Sequence, residues 1–590
     1  MKKNNYKNSK KLIVVLSSML LVLIFACSKS FLTFNPPNSI SPATLANKVG
    51  VDGLLVGAYS LMDGEGGAGG SNGPWSQAAS NWVYGSTAGT DAHKGSDPGD
   101  QGLITPIETW NVNSSNTYLN DIWSARFDGV QRCNEVLRVM TLAKDMTDAD
   151  KTEDAAEARF LRGHYNFELR RLFGNVPWID ETISYSAQNF LVPNNTDIFP
   201  NIEADFLFAY TNLPETQGQI ARANKWAAAT YLAKTYIYEK KWTDARTLLT
   251  TIIASGKNPK GNAYGLLKHY ADNFNPATKN GVESILAAQN SVNDGAGANN
   301  ANSGDVLNFP YGGPGGCCGF FQPSFSLANA FKVDAVTGLP LLDTYNNGTD
   351  LKNDQGVNSS APYTPDNTTP LDPRIDWTIG RRGIPYLDWG PMPGNDWIRN
   401  QASAGPYAPI KNAYYKSQAG SLTDNSSWTP GYTANNTNLI RYADVLLWAA
   451  EAEVQGGGTL GQAMIYVNMV RSRAADPTGW VQGSPAVYKI GLYASFPDAA
   501  YALKAIYFER RLELAMEGHR FFDLVRWGTA KAELDAYALH EIASGYTLMK
   551  NGGVPATFTI GKSEIMPIPQ QQIDKSVKAG KSVLAQNPGY

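Results

Sequence analysis

Apolar residues recur every three or four positions along several stretches of this chain, and between those stretches lie long segments with no period at all. Val51 to Asp63 carries a short helical pattern. Asn120 to Met140 and Asp154 to Phe173 are amphipathic; Gly174 ends the second, and Pro177 prevents its resumption. Asn224 to Gly256 reads helix, turn, helix: Ala229, Leu232, Ala233 and Tyr236 share one face, Trp242 marks the turn, and Ala245, Leu248, Leu249 and Ile252 share the next. A second unit of the same kind fits Arg441 to Ala474, with Ala450 and Ala463 as the small residues between packed helices. Helix pairs of this sort cannot bury their faces alone and must stack.

The most ordered stretch is Phe508 to Gly528, which reads as one long helix. Leu512, Ala515, Met516 and Phe522 give it apolar faces, and Arg510 with Glu513, then Glu517 with Arg520, stand three apart, where opposite charges meet on a helix surface. The expectation is a half-buried, salt-bridged scaffold helix. Glu513 and Glu517 also invite reading as a glycosidase carboxylate pair. Residues one helical turn apart do not flank a sugar ring from opposite faces, however, and arginines within reach keep both ionised, which disfavours a general acid.

The aperiodic segments hold the candidate chemistry. Gly64 to Gly73 is glycine-rich and reads as an exposed loop, and Gly281 to Asn438 is rich in Gly, Pro, Asn and Asp. Aromatic residues make up 11% of the chain, with 14 Trp and 29 Tyr, and many stand in these segments. A sugar ring has apolar C–H faces and a polar rim, so flat rings beside Asn, Asp and Arg suit it. Trp75, Trp82, Tyr84, Asp91, His93, Lys94, Trp110 and Asn111 form one such group. Tyr311, Cys317, Cys318 and Phe320 in a glycine frame form a second, and Arg381, Arg382, Tyr386, Asp388, Trp389 and Trp397 a third. His164, on an amphipathic helix with no nucleophile or metal-ligand spacing beside it, reads as a packed scaffold histidine.

The chain's start changes the picture. Lys2, Lys3, Lys7, Lys10 and Lys11 precede an uncharged run from Leu12 to Ala26, the pattern of a secretory signal, too short for a comfortable membrane span. Cys27 directly after Ala26 resembles a bacterial lipobox, in which it becomes the acylated first residue. The formal charge of −3 becomes −8 once the leader and its five lysines are removed, and a mildly acidic protein is a poor match for nucleic acid. Export to an oxidising compartment permits disulfides. With Cys27 used for lipid, three arrangements stay open: a Cys317 to Cys318 bridge in its flexible glycine frame, a long-range bridge to Cys133, or three free thiols.

The stretch FERRLELAMEGHRFFDLVRWG resembles the C-terminal signature of the SusD/RagB family, the outer-membrane glycan-binding lipoproteins of Bacteroidota. Further segments match in order: Ser28 to Leu32, DAAEARFLRGHYNFELRRLFGNVPWID, Asp372 to Tyr407, Ser563 to Ile573, and the ending Gln586 to Tyr590. The acidic cluster that often follows the lipidated Cys in that family is absent, so the family's surface display carries over less firmly than its membrane attachment. The helix pairs resemble tetratricopeptide units. The fold expected is therefore mostly α, a tetratricopeptide-like superhelix with long loop-rich insertions that form a second, irregular ligand-binding region. The expected division is a signal peptide over 1–26, an N-terminal helical domain over 27–280 and a C-terminal domain over 281–590, loop-rich to 440 and helical beyond. The resemblance implies a carbohydrate ligand, a SusC-like TonB-dependent transporter as partner, and a lipid anchor in the outer membrane facing outward; no cofactor is expected, and CxxC metal spacing is absent. The resemblance also places Trp75 to Asn111 near the family's glycan-contacting loops.

Two other classes compete. The sequence has no G-x-S-x-G elbow, no H-E-x-x-H and no Walker loop, and only 5 histidines, which leaves a glycoside hydrolase as the remaining enzyme reading. A tetratricopeptide stack could also serve as a peptide-binding scaffold of the same transporter.

Overall fold

The structure, a computed structural model, describes residues 42–65, 71–185 and 187–590. The apolar leader and Cys27, and residues 66–70 of the glycine-rich loop, lie outside the described residues. Among the described residues eleven α-helices have eight residues or more. They are α1 Lys48–Ser60, α2 Thr117–Met140, α3 Asp148–Phe173, α4 Phe199–Asn212, α5 Lys225–Tyr238, α6 Trp242–Ser255, α7 Tyr442–Gln455, α8 Leu460–Ala474, α9 Ala499–Glu513, α10 Arg520–Trp527 and α11 Ala530–Ala543.

Side-chain caps fix where several helices start. Thr147 accepts from the Asp150 N–H while the Asp150 carboxylate receives the Thr147 N–H, so α3 begins six residues before the apolar pattern does. Asn224 caps α5 and Thr459 caps α8. From α2 to α8 each helix packs on the next, and α9 packs against α7 and α8. The two helix pairs expected at 224–256 and 441–474 are therefore stacked directly, α6 on α7, although some 190 residues separate the end of one from the start of the other in the chain. Ala450 and Ala463 are fully buried between them. The fold is mostly helical and tetratricopeptide-like.

The 508–528 stretch departs from one long helix. α9 stops at Glu513, and α10 restarts at Arg520. The break has a local cause: the Met516 N–H donates to Asp91 (3.1 Å), the Gly518 N–H donates to Ser86 Oγ (3.0 Å), and Met516 and Gly518 take positive φ. The Gly518 Cα lies so near Ser80 that a Cβ would sit 2.0 Å from its carbonyl oxygen. The charges do not pair along the helix either. Arg510 reaches Asp444 and Asp523; Glu513 reaches Arg374, Arg441 and Arg473; Glu517 reaches Arg441 and Lys411; and Arg520 reaches Glu533. All of these are buried apart from Glu533 and, at its edge, Glu517, so the stretch is a core element and not a half-buried one.

The loop-rich region contains only short strands among its described residues. β1 (Ala92–Gly95) pairs antiparallel with β3 (Phe320–Pro323), His93 opposite Gln322; β2 (Ser284–Ala288) pairs antiparallel with β4 (Thr437–Arg441). A second, small apolar core forms apart from the helical one, from Phe309, Tyr386, Met392, Ile398, Ala404, Ala408, Ile410, Ala413 and Tyr414. It is the foundation of the surface described next.

Candidate functional site

The glycine-rich loop from Tyr311 to Gly319 lies over this small core. Its glycines allow contacts that other residues would not: a Cβ on Gly313 would stand 2.8 Å from the Trp397 ring, and Gly315, at φ +78°, would meet Phe309 at 2.6 Å. The loop is pinned by its backbone, because the Gly315 N–H donates to the Tyr414 hydroxyl (3.2 Å) and the Gly315 carbonyl accepts from Thr429 Oγ1. Cys317 and Cys318 form a disulfide at its end, and Cys133 is a buried free thiol. We expect peptide mapping under non-reducing conditions to return the Cys317–Cys318 peptide lighter by two hydrogens, and Cys133 to be alkylated only after unfolding. Alkylation of all three thiols in the native, unreduced protein would refute the bridge.

Rings stand around the loop. Tyr311 is 41% exposed, with the Arg399 guanidinium 5.4 Å from its centroid. Trp397 is half-buried and meets Tyr386 edge-on at 5.2 Å; Trp389 is half-buried and meets Tyr414 edge-on at 5.7 Å, donating its indole N–H to the Tyr414 carbonyl. Trp428 is 56% exposed, donates its indole N–H to the Tyr432 hydroxyl, and precedes Thr429, whose hydroxyl donates to the Gly315 carbonyl. Arg399 pairs with Asp97 (2.6 Å) and Asp100 (2.6 Å), which joins the 97–100 turn to Tyr311. These contacts bring Tyr311, Cys317, Cys318, Trp389 and Trp397 into one neighbourhood. Sequence reasoning missed Arg399 and Trp428, although Trp428 lies in Asn425-Ser-Ser-Trp-Thr-Pro-Gly431, the same polar, turn-rich setting that singled out the others.

The remaining candidates belong to the interior. Trp82 is fully buried against Phe320 and Phe321 and donates its indole N–H to the Gly304 carbonyl. The Tyr84 hydroxyl donates to the carbonyls of Ser76 and Tyr118, that of Tyr386 to Pro409, and the Trp110 indole to Ala88. Each ring has found an internal acceptor, which is what lets a polar-tipped aromatic enter a core. Phe320 is buried beneath Lys94, whose ammonium is itself buried and donates to the carbonyls of Asp97 and Asp100. Asp91 serves the 516–518 break. Arg381 is buried in a two-pronged pair with Asp376. Asn111 is exposed beside the buried Trp110, and half-buried Trp75 donates to Gln101. Trp82, Tyr84, Asp91, His93, Lys94, Trp110, Phe320, Arg381 and Tyr386 are thus withdrawn from the exposed surface.

His93 anchors the strand pair that carries the loop. Its Nε2 lies 2.9 Å from Glu541, its Nδ1 lies 3.4 Å from Glu108, and the Tyr546 ring stacks on it at 3.5 Å. Burial opposes the charged imidazole, but the two carboxylates outweigh it and raise the pKa. His540 is raised as well, to about 9: burial lowers it, and the carboxylates of Asp350 (3.0 Å) and Glu541 raise it. A histidine whose folded pKa exceeds its unfolded value contributes stability below the unfolded pKa, about 6.5, and loses that contribution as pH rises towards 9. We therefore expect His540→Gln to lower the melting temperature at pH 6 and to matter little at pH 9.5. An equal deficit at both pH values would contradict the assignment. His164 is held to about 3 by burial, so it is neutral, and it contacts the Tyr231 hydroxyl at 3.1 Å as a packed scaffold residue.

Glu513 and Glu517 are not placed to act on a ligand. Burial alone would raise both pKa values, but Arg473, Arg441 and Arg374 hold Glu513 well below the carboxylate range, and Arg441 with Lys411 brings Glu517 to about 2. Among the described residues no three His, Cys, Asp or Glu side chains converge as a metal site, and no helix is long and apolar enough to cross a membrane. A groove of about 830 Å³ between α2 and residues 177–192 is lined by Trp123, Phe127, Leu142, Ile183, Tyr185 and Phe190, and by none of the sequence-predicted residues.

The family model described as "SusD family" matches residues 282–590, and a model described as "Starch-binding associating with outer membrane" matches residues 77–237. Among curated relatives, the SusD-like protein P25 of Formosa agariphila is 25% identical over 524 residues, covering 86% of this chain and 88% of the relative. A SusD-like protein of Bacteroides ovatus is 26% identical over 433 residues, 71% of this chain and 67% of that protein. Among solved structures, a laminarin-binding SusD-like protein matches with a TM-score of 0.62 at 23% identity, covering 92% of this chain and 100% of its own. Surface glycan-binding protein A from Bacteroides thetaiotaomicron, solved with laminarihexaose, matches with a TM-score of 0.59 at 19% identity over 92% and 99%. At these identities the structural matches speak for the fold.

Proposed function

Since the chain belongs to the SusD family, we propose that it is a glycan-binding lipoprotein of the outer membrane, which captures oligo- or polysaccharide without chemistry and delivers it to a SusC-like TonB-dependent transporter. Cys27 is the lipid-bearing residue, and the protein faces the cell exterior. The domain division is the one expected from the sequence, 27–280 and 281–590, with the ligand held by the second. The helical stack docks the transporter.

One observation carries this reading: Tyr311, Trp389, Trp397 and Trp428 surround a single pinned loop while remaining partly or largely exposed. Buried apolar rings need no explanation, but several solvent-facing rings gathered at one place do. Rings flanked by Asp and Arg offer a sugar its stacking faces and its hydroxyl partners together. The one carboxylate pair that invited a glycosidase reading, Glu513 and Glu517, is saturated by cations, which supports capture over hydrolysis.

The test is native affinity electrophoresis of residues 28–590 in gels containing laminarin, starch, xylan, galactomannan or levan. Retardation in at least one, with no reducing sugar released, is the expected result. Sugar release that disappears with one Asp or Glu substitution would replace binding by hydrolysis. Copurification from solubilised membranes tests the partner, and a protein that never brings down a TonB-dependent channel would remove the docking role.

A further inference from the structure

The charges at the ring-faced loop are arranged in a way that bears on which glycans it accepts. Arg399 is the cation nearest Tyr311, and a half-exposed guanidinium beside a stacking ring would ordinarily suit a uronate or sulfate ester. Here it is already engaged. Its Nε pairs with Asp97 at 2.6 Å, and its Nη1 pairs with Asp100 at 2.6 Å and donates to Ser96 Oγ at 2.9 Å. Lys94 is buried behind the same turn with its ammonium on two carbonyls. Lys416 leans over Trp389 at 5.9 Å, where the Asp388 carboxylate receives the backbone N–H groups of Lys416 and Ser417. Asp396 is exposed on the turn that carries Trp397. Arg399 is thus held by two carboxylates and Lys94 by two carbonyls, while the Asp388 carboxylate binds the backbone at Lys416.

We infer that the site selects uncharged glycans, and that the Asp97–Arg399–Asp100 clamp is the device that sets this selectivity. The inference rests on the glycan-binding reading above. An anionic sugar arriving beside Tyr311 would find Arg399 already neutralised by two carboxylates, and Arg399 could serve it only by leaving a carboxylate of its own unpaired. A neutral sugar meets no such repulsion: its hydroxyls can donate to the Asp97 and Asp100 oxygens, and its ring faces can lie on the aromatic rings. Selectivity here comes from repulsion of the wrong ligand as much as from attraction of the right one.

The test uses residues 28–590 in native gels containing a neutral panel (laminarin, starch, xylan, galactomannan, levan) or an anionic panel (polygalacturonate, alginate, carrageenan). The wild-type protein is expected to be retarded by a neutral member and by no anionic one. The doubly neutralised variant Asp97→Asn/Asp100→Asn is expected to gain retardation by polygalacturonate, about tenfold in apparent affinity and abolished by 0.5 M NaCl. Asp97→Asn alone, at a side chain 43% exposed, should give part of the gain without threatening the fold. Adding Arg399→Gln to the double variant should reverse it. Wild-type retardation by an anionic polymer, or no gain in the variants, overturns the charge selection and leaves glycan binding standing. A wild-type protein with an intact melting transition that no polymer of either panel retards overturns the glycan-binding reading itself, and this inference with it.

Discussion

Glu513→Ala is expected to destabilise the protein by about 3–5 kcal/mol, the cost typical of removing one partner from a buried ion cluster. Glu513 is fully buried and takes Arg374 at 2.9 Å, with Arg441 and Arg473 on its other oxygen. The cluster extends through Glu509, which joins Arg374 (2.6 Å) to Arg471 (2.8 Å), through Glu283, which joins Arg441 (2.9 Å) to Arg473 (3.2 Å), and through Asp372 on Arg374. Glu517 adds Arg441 and Lys411. Five carboxylates thus meet five cations, and deleting one leaves three guanidinium groups short of charge in a place water cannot reach. The cluster ties α9 to α8, to β4 and to residues 372–374 of the loop-rich region, so its loss should loosen the joint between superhelix and insertion.

Urea unfolding followed by tryptophan fluorescence reads this directly. Lys504→Ala, which breaks the exposed pair with Asp343, is the control and should move the midpoint little. Because the folded pKa values of Glu513 and Glu517 are depressed, their contribution is present above the unfolded value, about 4.5, and is lost as pH falls, for Glu517 through about 2. The deficit of Glu513→Ala should therefore shrink as the wild type is acidified below pH 4. A midpoint unchanged at neutral pH would mean that the cluster is not an ion network in solution.

This cluster also shows what the sequence could and could not reveal. Helices α2, α3, α5, α6, α7 and α8 were readable because their information is local: apolar residues every three or four positions, Asn224 or Thr459 as a cap, and Gly174 as a stop. The interruption at 514–519 was not, because it is imposed by Ser80, Ser86 and Asp91, more than 400 residues away in the chain. The charged residues flanking it look like neighbours in the sequence, yet they are bonded to residues of other elements.

The same limit governs the aromatic candidates. A ring in an aperiodic segment can face water or the core, and no spacing rule separates the two. Trp82 and Trp428 both stand in segments rich in Ser, Asn and Gly; one is fully buried with a carbonyl for its N–H, and the other is 56% exposed. Likewise His93, Lys94 and Arg381 carry charge-bearing side chains, a usual mark of the surface, and all are buried because Glu108, Glu541, Asp376 and two carbonyls meet them inside. What did read through was the glycine frame, since only a loop passing close over rings needs Gly313 and Gly315 where they stand.

Trp397→Ala is expected to weaken glycan binding by about 30-fold, the affinity equivalent of the ~2 kcal/mol that marks an aromatic hot spot. Trp397 carries the Gly313 backbone on its ring and keeps part of that ring accessible, so its removal takes away a stacking face and also lowers the loop that presents Tyr311. Because that packing role could by itself disturb the loop, Trp428→Ala and Tyr311→Ala are the cleaner companions: both residues lie at the exposed surface, and truncating them should reduce affinity with the melting temperature nearly unchanged. Trp82→Ala is the opposite case. It removes a fully buried ring and should cost about 3–5 kcal/mol of stability, with affinity per folded molecule retained. Isothermal titration with the oligosaccharide identified in the gels, run beside thermal unfolding of each variant, separates the two effects. If Trp428→Ala, Tyr311→Ala and Trp397→Ala all bind as the wild type does, the ligand does not rest on these rings and the site lies elsewhere on the protein.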